Sequence, residues 1–165
     1  MKKMKKILLS LCLLLSINSF SQENDLVWHT DVNKAIEISI ETEKPLFFFF
    51  TGSDWCGWCI RLQKEVFFKS EFVKWAKQNL TLVELDFPRK TKLSDELQKQ
   101  NRELGKMFGV RGYPTGWFVI PEITDGKVNF NKLGSQGYVA GGPDKWIAGG
   151  LSLIHISEPT RRITI

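Results

Sequence analysis

The sequence predicts one α/β domain, in which helices flank a central mixed β-sheet. Short apolar runs typical of buried strands alternate with longer stretches whose apolar residues recur at helical spacing. A chain of 165 residues is long enough for a single domain with an ordinary core. With 42% hydrophobic and 25% charged residues, the composition excludes disordered, collagen-like and multi-span membrane proteins.

The residue pattern of the first half of the domain predicts two helical regions, one on each side of a central strand in the chain. Residues 30–43 open with Thr and Asp as caps and place their apolar side chains on one helical face. Lys44-Pro45 ends this helix, because the residue before a proline is disfavoured in helical geometry. Residues 46–51, LFFFFT, predict a strand that is covered on both faces. A Gly-Ser-Asp turn then leads to WCGWC, at 55–59, and to a helical stretch that reaches Lys69.

The second half predicts two helices and three strands. Ser70 caps a helix that runs through Gln78, and residues 80–87, LTLVELDF, form the next strand. Residues 94–108 form a helix that Gly109 stops. Residues 116–120 and 128–130 form a hairpin around the turn Thr124-Asp125-Gly126. The predicted order is β-α-β-α-β-α-β-β, with a parallel central pair and an antiparallel final hairpin; the residue patterns do not locate its first strand.

The N-terminus, residues 1–21, has the pattern of a signal peptide. Four lysines precede an apolar run, 7–17, that is too short to span a bilayer as a helix. Ser19 and Ser21 are small residues at the positions a signal peptidase recognises, so we expect cleavage between Ser21 and Gln22. An uncleaved anchor and a lipoprotein at Cys12 are weaker alternatives, the latter because Leu11 is large for that position.

The C-terminus predicts a helix that is interrupted early. Pro143 and Asp144 are typical of a first helical turn, but the residues after Gly150 show no helical period. Residues 151–161, LSLIHISEPTR, resemble the translated read-through of a sequencing adapter. The domain is therefore expected to span 22–150, followed by a non-native tail at 151–165 and lacking the rest of its C-terminal helix. A genuine short terminal strand is the alternative.

The net charge of the chain does not predict a nucleic-acid partner. The chain carries 23 basic and 18 acidic residues, a balance that by itself suggests such a partner. Four of the lysines belong to the leader, and Arg161, Arg162 and Glu158 belong to the tail. The remaining domain has 17 basic and 17 acidic residues, so we expect no nucleic-acid binding.

Two cysteines, Cys56 and Cys59, remain once the leader is removed with Cys12. They follow a buried strand and begin a helix, where unpaired amides and the helix dipole stabilise a thiolate. Two thiols at this spacing can close a disulfide with little backbone movement. We expect Cys56 to be exposed and acidic and to act as the nucleophile. Cys59, one turn deeper, is expected to resolve the mixed disulfide.

Other uses of a Cys-x-x-Cys pair are less consistent with this chain. A zinc site needs two further ligands, and the domain offers only His29. Haem attachment needs a histidine after the second cysteine, where Ile60 stands. A purely structural disulfide stays open, although so short a loop stabilises little. We therefore expect no metal, and no cofactor beyond a redox-active Cys56–Cys59 disulfide.

The motifs WCGWC, at 55–59, and GYPT, at 112–115, together resemble the thioredoxin superfamily. The segments KEVF at 64–67, EFV at 71–73 and LVELD at 82–86 are similar to its exported branch, which includes the C-terminal domain of the inner-membrane thiol:disulfide interchange reductase. The resemblance covers about residues 44–121, with a looser fit to residue 147. It implies a thioredoxin fold in which Pro114 is cis, packs beside the disulfide and keeps metals off the thiols. It also implies that the backbone of Tyr113 pairs with a bound substrate strand.

The chain departs from thioredoxin at three positions. Trp58 stands in place of a proline, Phe50 in place of a buried aspartate, and Leu82 near the position of its partner lysine. The group that deprotonates the resolving thiol is therefore open. Asp54, Glu84 and Asp86 are candidates, with surface charge or strand-end capping as the alternative for each.

Residues beside the cysteines are candidates for substrate binding. Trp55, Gly57 and Trp58 flank the nucleophile, and the two rings could form an apolar docking surface. For Trp55, packing under the motif loop is the equal alternative. The remaining tryptophans of the domain are expected in core or edge packing: Trp28, Trp75, Trp117 and Trp146.

These observations predict an exported, periplasmic thiol–disulfide oxidoreductase that acts on protein disulfides. We expect a monomer working in the reducing direction, recharged by a membrane-bound thiol electron donor. The oxidising direction is possible on the same chemistry. A redox-inert peptide-binding module with a structural disulfide is the alternative from another class, and a metal carrier is a third.

Overall fold

A computed structural model describes residues 26–155 as a five-stranded sheet with helices on both faces. The strands are β1 (Trp28–His29), β2 (Leu46–Thr51), β3 (Thr81–Asp86), β4 (Thr115–Thr124) and β5 (Lys127–Gln136). The helices are α1 (Val32–Thr42), α2 (Gly57–Leu62), α3 (Ser70–Asn79), α4 (Asp95–Met107) and α5 (Gly142–His155). The predicted signal peptide lies outside the described residues.

The sheet has the strand order β1-β3-β2-β4-β5. Strands β1, β3 and β2 are parallel, whereas β4 is antiparallel to β2 and β5 to β4. The predicted parallel pair, final hairpin and α/β class are therefore confirmed. The first strand is only two residues long, with Trp28 opposite Leu82, which explains why no residue pattern located it. None of the helices within residues 26–155 combines the length and apolarity that crossing a bilayer requires.

Local capping explains where two of the helices begin. The Asp31 side chain accepts hydrogen bonds from the backbone N–H groups of Asn33 and Lys34 and so starts α1. The Ser94 hydroxyl accepts from the N–H of Leu97 and starts α4. These bonds satisfy amides that a helix leaves unpaired at its first turn, as the sequence predicts.

Strand β2 forms the centre of the core, and all six of its residues are buried. Because side chains alternate along a strand, Phe47 and Phe49 face α2, α3 and α5, while Phe48 and Phe50 face α1 and α4. Both cysteines of the Cys-x-x-Cys pair belong to the first of these two clusters. The Cys-x-x-Cys pair therefore packs in the same cluster as the aromatic rings of Phe47 and Phe49.

The helix that starts at the motif changes its winding after two turns. Helix α2 is followed by a π-helical turn at Gln63–Phe67, closed by the hydrogen bond from Phe68 N–H to the carbonyl of Gln63. The wider turn brings Val66 and Phe67 into the core together, at 0% and 1% exposure. The predicted helical stretch is therefore present, with a change of pitch that its sequence does not announce.

Helix α5 runs past the predicted domain boundary at residue 150 and ends at His155. The expected loss of helical pattern after Gly150 is wrong for residues 151–155, as is the alternative of a terminal strand. The reason is packing: Leu153 lies against Gly134, and Ile154 packs against the core. Residues 156–165 lie outside the described residues, so a non-native tail and a truncated helix stay predictions.

Candidate active site: a disulfide at a helix N-terminus

Cys56 and Cys59 form a disulfide at the first turn of α2, with their Cα atoms 5.2 Å apart. Cys56 is the N-cap residue, and its Sγ accepts a hydrogen bond from the N–H of Cys59 at 3.2 Å. The backbone of Cys56 is fixed in turn, because its N–H donates to the carbonyl of Gly52 at 2.8 Å. A thiolate at this position would face an amide donor and the positive end of the helix.

Both sulfur-bearing residues are buried. Cys56 is 6% exposed and Cys59 is 1% exposed. The expectation that Cys59 lies deeper than Cys56 is therefore confirmed, but the expectation of an exposed Cys56 is wrong in this oxidised state. Cys56 is covered because it packs in the same cluster as Cys59, Leu62 and Phe49.

Trp55 is held by the loop after β3 and packs under the motif loop. Its Nε1 donates to the carbonyl of Phe87 at 2.8 Å, and its ring meets Tyr113 edge-on with centroids 5.7 Å apart. The guanidinium of Arg89 lies 3.9 Å above the ring. A Cβ on Gly52 would stand 2.5 Å from the indole, so only glycine leaves room for this packing. These contacts favour the packing alternative for Trp55.

Trp58 is 55% exposed and lies beside the disulfide. Its ring contacts Tyr138, with centroids 5.2 Å apart, and Arg61 lies 5.3 Å from its centre. Glu65 contacts both of these neighbours. Its carboxylate pairs with Arg61 Nε at 2.8 Å and accepts a hydrogen bond from the Tyr138 hydroxyl. The bonds from Tyr138 and Arg61 hold the pKa of Glu65 below its usual range. Trp58 is therefore a supported, solvent-facing ring.

Sequence reasoning missed the supports of Trp58. Arg61 and Glu65 are four residues apart on a helical stretch, a spacing that predicts an ion pair. Tyr138 is 73 residues from Glu65, and no local pattern joins them. The contact arises because the segment after β5 returns over α2.

The remaining predicted substrate contacts lie at two places. Gly57 is exposed, and a Cβ there would meet no atom within 4 Å other than those of its chain neighbours and of the backbone of its own helix, so the space above it is open. The Tyr113–Pro114 peptide bond is cis. Tyr113 packs on Trp55 and on Phe87, and burial raises the pKa of its hydroxyl. The fold thus brings Tyr113 to Trp55, while substrate roles for all these residues stay predictions.

Two of the three candidate carboxyls act as local caps. Asp54 accepts hydrogen bonds from the N–H groups of Arg89, Lys90 and Thr91, at 2.6 to 3.2 Å, and these bonds, that from Arg89 foremost, hold its pKa below the usual value. Asp86 accepts from both the N–H and the hydroxyl of Ser53, at 2.8 and 2.6 Å.

Glu84 differs from the other two carboxyls. It is half-buried next to Phe49 in the register of β2 and β3, on the sheet face that carries the disulfide. Burial, with a smaller contribution from Asp86, raises the pKa of its carboxyl. The environment of Glu84 therefore favours the protonated form of its carboxyl.

The architecture and the site together define a thioredoxin-fold protein with a Cys-x-x-Cys disulfide at the start of a helix. A family model, the thioredoxin-like domain, matches residues 32–139. This stretch is more than half of the chain, so the chain belongs to the thioredoxin-like domain family. The predicted thioredoxin fold and superfamily are confirmed.

Two curated relatives are similar to the chain. Disulfide bond reductase DsbH of Chlamydia pneumoniae is 38% identical over 108 residues, which are 65% of this chain and 65% of the relative. Thioredoxin-related protein DsbJ of Chlamydia pneumoniae is 32% identical over 117 residues, 68% of this chain and 34% of the relative. The chain therefore spans about two thirds of one relative and a third of the other.

Two solved structures are similar to the chain. A DsbH oxidoreductase superposes with a TM-score of 0.71 at 30% identity, covering 88% of this chain and 99% of that one. A thioredoxin from Thermus thermophilus superposes with a TM-score of 0.56 at 14% identity, covering 79% and 86%. The second likeness shows the fold alone.

Proposed function

We propose that this protein is an exported thiol–disulfide oxidoreductase that reduces protein disulfides through Cys56 and Cys59. The observation that carries the proposal is the position of Cys56 as the N-cap of α2, with Sγ 3.2 Å from the N–H of Cys59. The relative DsbH is a disulfide bond reductase, which supports the reducing direction. The predicted leader at 1–21 supports a periplasmic site of action.

The exchange proceeds in two balanced steps. The Cys56 thiolate attacks one sulfur of the substrate disulfide, the substrate S–S bond breaks, and the released sulfur takes up a proton from water. Cys59 then loses its proton to water and attacks Cys56 Sγ. This breaks the mixed disulfide, and the second substrate sulfur leaves as a thiolate that takes up a proton from water. The substrate gains two electrons, and the protein is left with the Cys56–Cys59 disulfide that the structure contains.

A second round needs two electrons from outside the chain. Because the periplasm is oxidising, we propose a membrane-bound dithiol as the donor, which reduces the Cys56–Cys59 disulfide by the reverse exchange. The same surface would serve both partners. Trp58, Gly57 and the Tyr113–Pro114 turn are the proposed contacts with the polypeptide around the target disulfide.

Two variants test the assigned roles. With the resolving thiol removed, Cys59→Ser should accumulate a mixed disulfide between Cys56 and an oxidised peptide, visible by mass spectrometry. The matched variant Cys56→Ser should accumulate none. Equal trapping by both variants would contradict the order of attack. Equilibration of the wild-type couple with glutathione gives the direction: a potential near that of thioredoxin supports a reductant, and a strongly oxidising one reverses the assignment.

A redox-inert binding module is the second candidate, and one observation favours it. Both cysteines are nearly inaccessible, at 6% and 1% exposure, as in a structural disulfide. The rate of alkylation of the reduced protein by iodoacetamide at pH 7 separates the two. A Cys56 that reacts no faster than a model thiol would favour the binding module.

A further inference from the structure

A basic pocket lies between the loop that follows β3 and helix α4. It has a volume of about 430 Å³. Four cationic residues line it, Arg89, Lys90, Lys92 and Arg102, with Asp86 as the one acidic residue among those that line it. The volume is within the range of cavities that hold a few side chains or a small ligand.

The cations of the basic pocket are not held in salt bridges. Within residues 26–155, neither of the two salt bridges involves any of the four. The hydrogen bonds of the nearby carboxylates come from uncharged donors: Asp86 accepts from Ser53, and Asp54 accepts from the backbone amides of the loop. The charge of Lys90 also acts on Asp54, without a salt bridge between the two side chains. Lys90 and Lys92 are both exposed residues of the loop, so a partner in solution can reach them.

The pocket is coupled directly to the residues that precede Cys56. Ser53, Asp54 and Trp55 each bond to the segment that lines the pocket. Arg89 spans the two sites, since it lines the pocket while its guanidinium covers the ring of Trp55 at 3.9 Å. A partner held in the pocket would therefore lie next to Trp55, the residue that directly precedes Cys56.

The charge of the pocket is local. The domain as a whole has equal numbers of basic and acidic residues, so no general positive field explains four cations around one cavity. A cavity lined with guanidinium and ammonium groups complements carboxylates, which Arg can bind with two parallel hydrogen bonds.

We propose that the basic pocket docks an acidic segment of the polypeptide that exchanges disulfides with Cys56. This inference rests on the proposed function and specifies its partners: polypeptides that carry several Asp or Glu residues near the target disulfide. Charges at the rim of an interface act chiefly on the rate of encounter and on orientation. The pocket therefore selects which disulfides reach Cys56 quickly, without taking part in the exchange.

The test compares three synthetic peptides that share one disulfide-bearing core and differ only in a short flanking stretch. The stretch is tetraglutamate in the acidic peptide, tetraglutamine in the neutral peptide and tetralysine in the basic peptide. We expect the reduced protein to react fastest with the acidic peptide, roughly tenfold faster than with the neutral one at low salt, and slowest with the basic one. The advantage should shrink as the salt concentration approaches about 1 M, because screening then acts within a few ångströms.

The double variant Lys90→Gln/Lys92→Gln should remove most of the preference for the acidic peptide and leave the rate with the neutral peptide unchanged. Both side chains are exposed, and the backbone amides that bond to Asp54 remain. The matched control is Lys106→Gln/Lys127→Gln, which loses the same charge at exposed positions that do not line the pocket. It should keep the preference.

Each outcome decides a separate point. Equal rates with the acidic and neutral peptides from an active protein would overturn the docking proposal and leave the oxidoreductase function standing. No exchange with any peptide would overturn the function. Binding of a fluorescent, cysteine-free version of the acidic peptide to the oxidised protein, measured by anisotropy, would then decide docking. Binding that Lys90→Gln/Lys92→Gln abolishes supports the pocket, and no binding refutes it.

Discussion

Trp146 is the side chain whose removal should damage the fold most. It is 0% exposed and is the largest fully buried residue among those described. It projects from α5 into the core and contacts five aromatic rings, which are Phe47, Phe67, Phe72, Trp75 and Phe118. Its Nε1 also donates to the carbonyl of Gly137 at 3.0 Å. The change Trp146→Ala therefore removes the contact that seals α5 onto the sheet.

The cost can be worked out from these contacts. Replacing a fully buried Trp by Ala costs about 3–5 kcal/mol, through lost transfer energy and the cavity that remains. The upper half of that range applies, because the neighbours are stiff rings that collapse poorly, so we expect about 4–5 kcal/mol. Trp146→Phe keeps one ring and loses the hydrogen bond to Gly137, for about 1–2 kcal/mol. The free energy of unfolding of a domain of this size is about 5–15 kcal/mol, so Trp146→Ala should remove a large part of it.

Urea unfolding, followed by circular dichroism, measures the free energy of unfolding of each variant. The melting temperature should fall by roughly 10–20 °C for Trp146→Ala. The matched control is Trp58→Ala, which removes the same residue type at a 55% exposed position and should change stability by less than about 1 kcal/mol. If Trp146→Ala and Trp58→Ala have the same effect, the structure of α5 and its seal on the core are wrong.

Three further changes test other parts of the structure. Burial raises the pKa of the Glu84 carboxyl in the folded protein above its value in the unfolded chain. The free energy of unfolding therefore falls as the pH rises from the pKa of the unfolded chain through that of the folded protein. Glu84→Gln should therefore raise the free energy of unfolding at pH 7, a gain that disappears toward pH 4. A Cβ in Gly116→Ala would stand 2.5 Å from the Phe47 ring, which should cost about 1–3 kcal/mol in urea unfolding. Asp54→Ala frees three amides of the loop at 89–91 and should accelerate tryptic cleavage there; unchanged cleavage would contradict the anchoring role.

Features that depend on neighbouring residues could be predicted from the sequence. The run at 46–51 is apolar on both faces, and only a strand in the middle of the sheet buries both. The caps Asp31 and Ser94 act within three residues of their own positions. The order of burial of Cys56 and Cys59 follows from helix geometry, because the second lies one turn further in.

Features that depend on long-range packing could not be predicted. Residues 151–155 lack a clear helical period. They are nevertheless helical, because the Leu153 side chain packs against Gly134, where a larger residue would leave no room. The support of Trp58 by Tyr138 joins residues 80 positions apart in the chain. Cys56 is buried because its surroundings close over it, which a pattern of two cysteines does not reveal.

The burial of Cys56 limits the direction from which a substrate sulfur can approach under the proposed function. On one side Trp55 is fixed beneath Arg89 and against Tyr113. Toward the core, Cys59 is covered completely enough that only 1% of it is exposed. The open side is at Gly57, where a Cβ would meet nothing within 4 Å beyond its chain neighbours and the backbone of its own helix. A polypeptide that approaches Cys56 at Gly57 would meet the exposed ring of Trp58, the next residue along the helix. On the N-terminal side of Cys56, Trp55 carries the guanidinium of Arg89, which also lines the basic pocket. Contacts with two separate parts of the site orient a flexible chain better than one, so we expect Trp58 and the pocket to act together on the same partner.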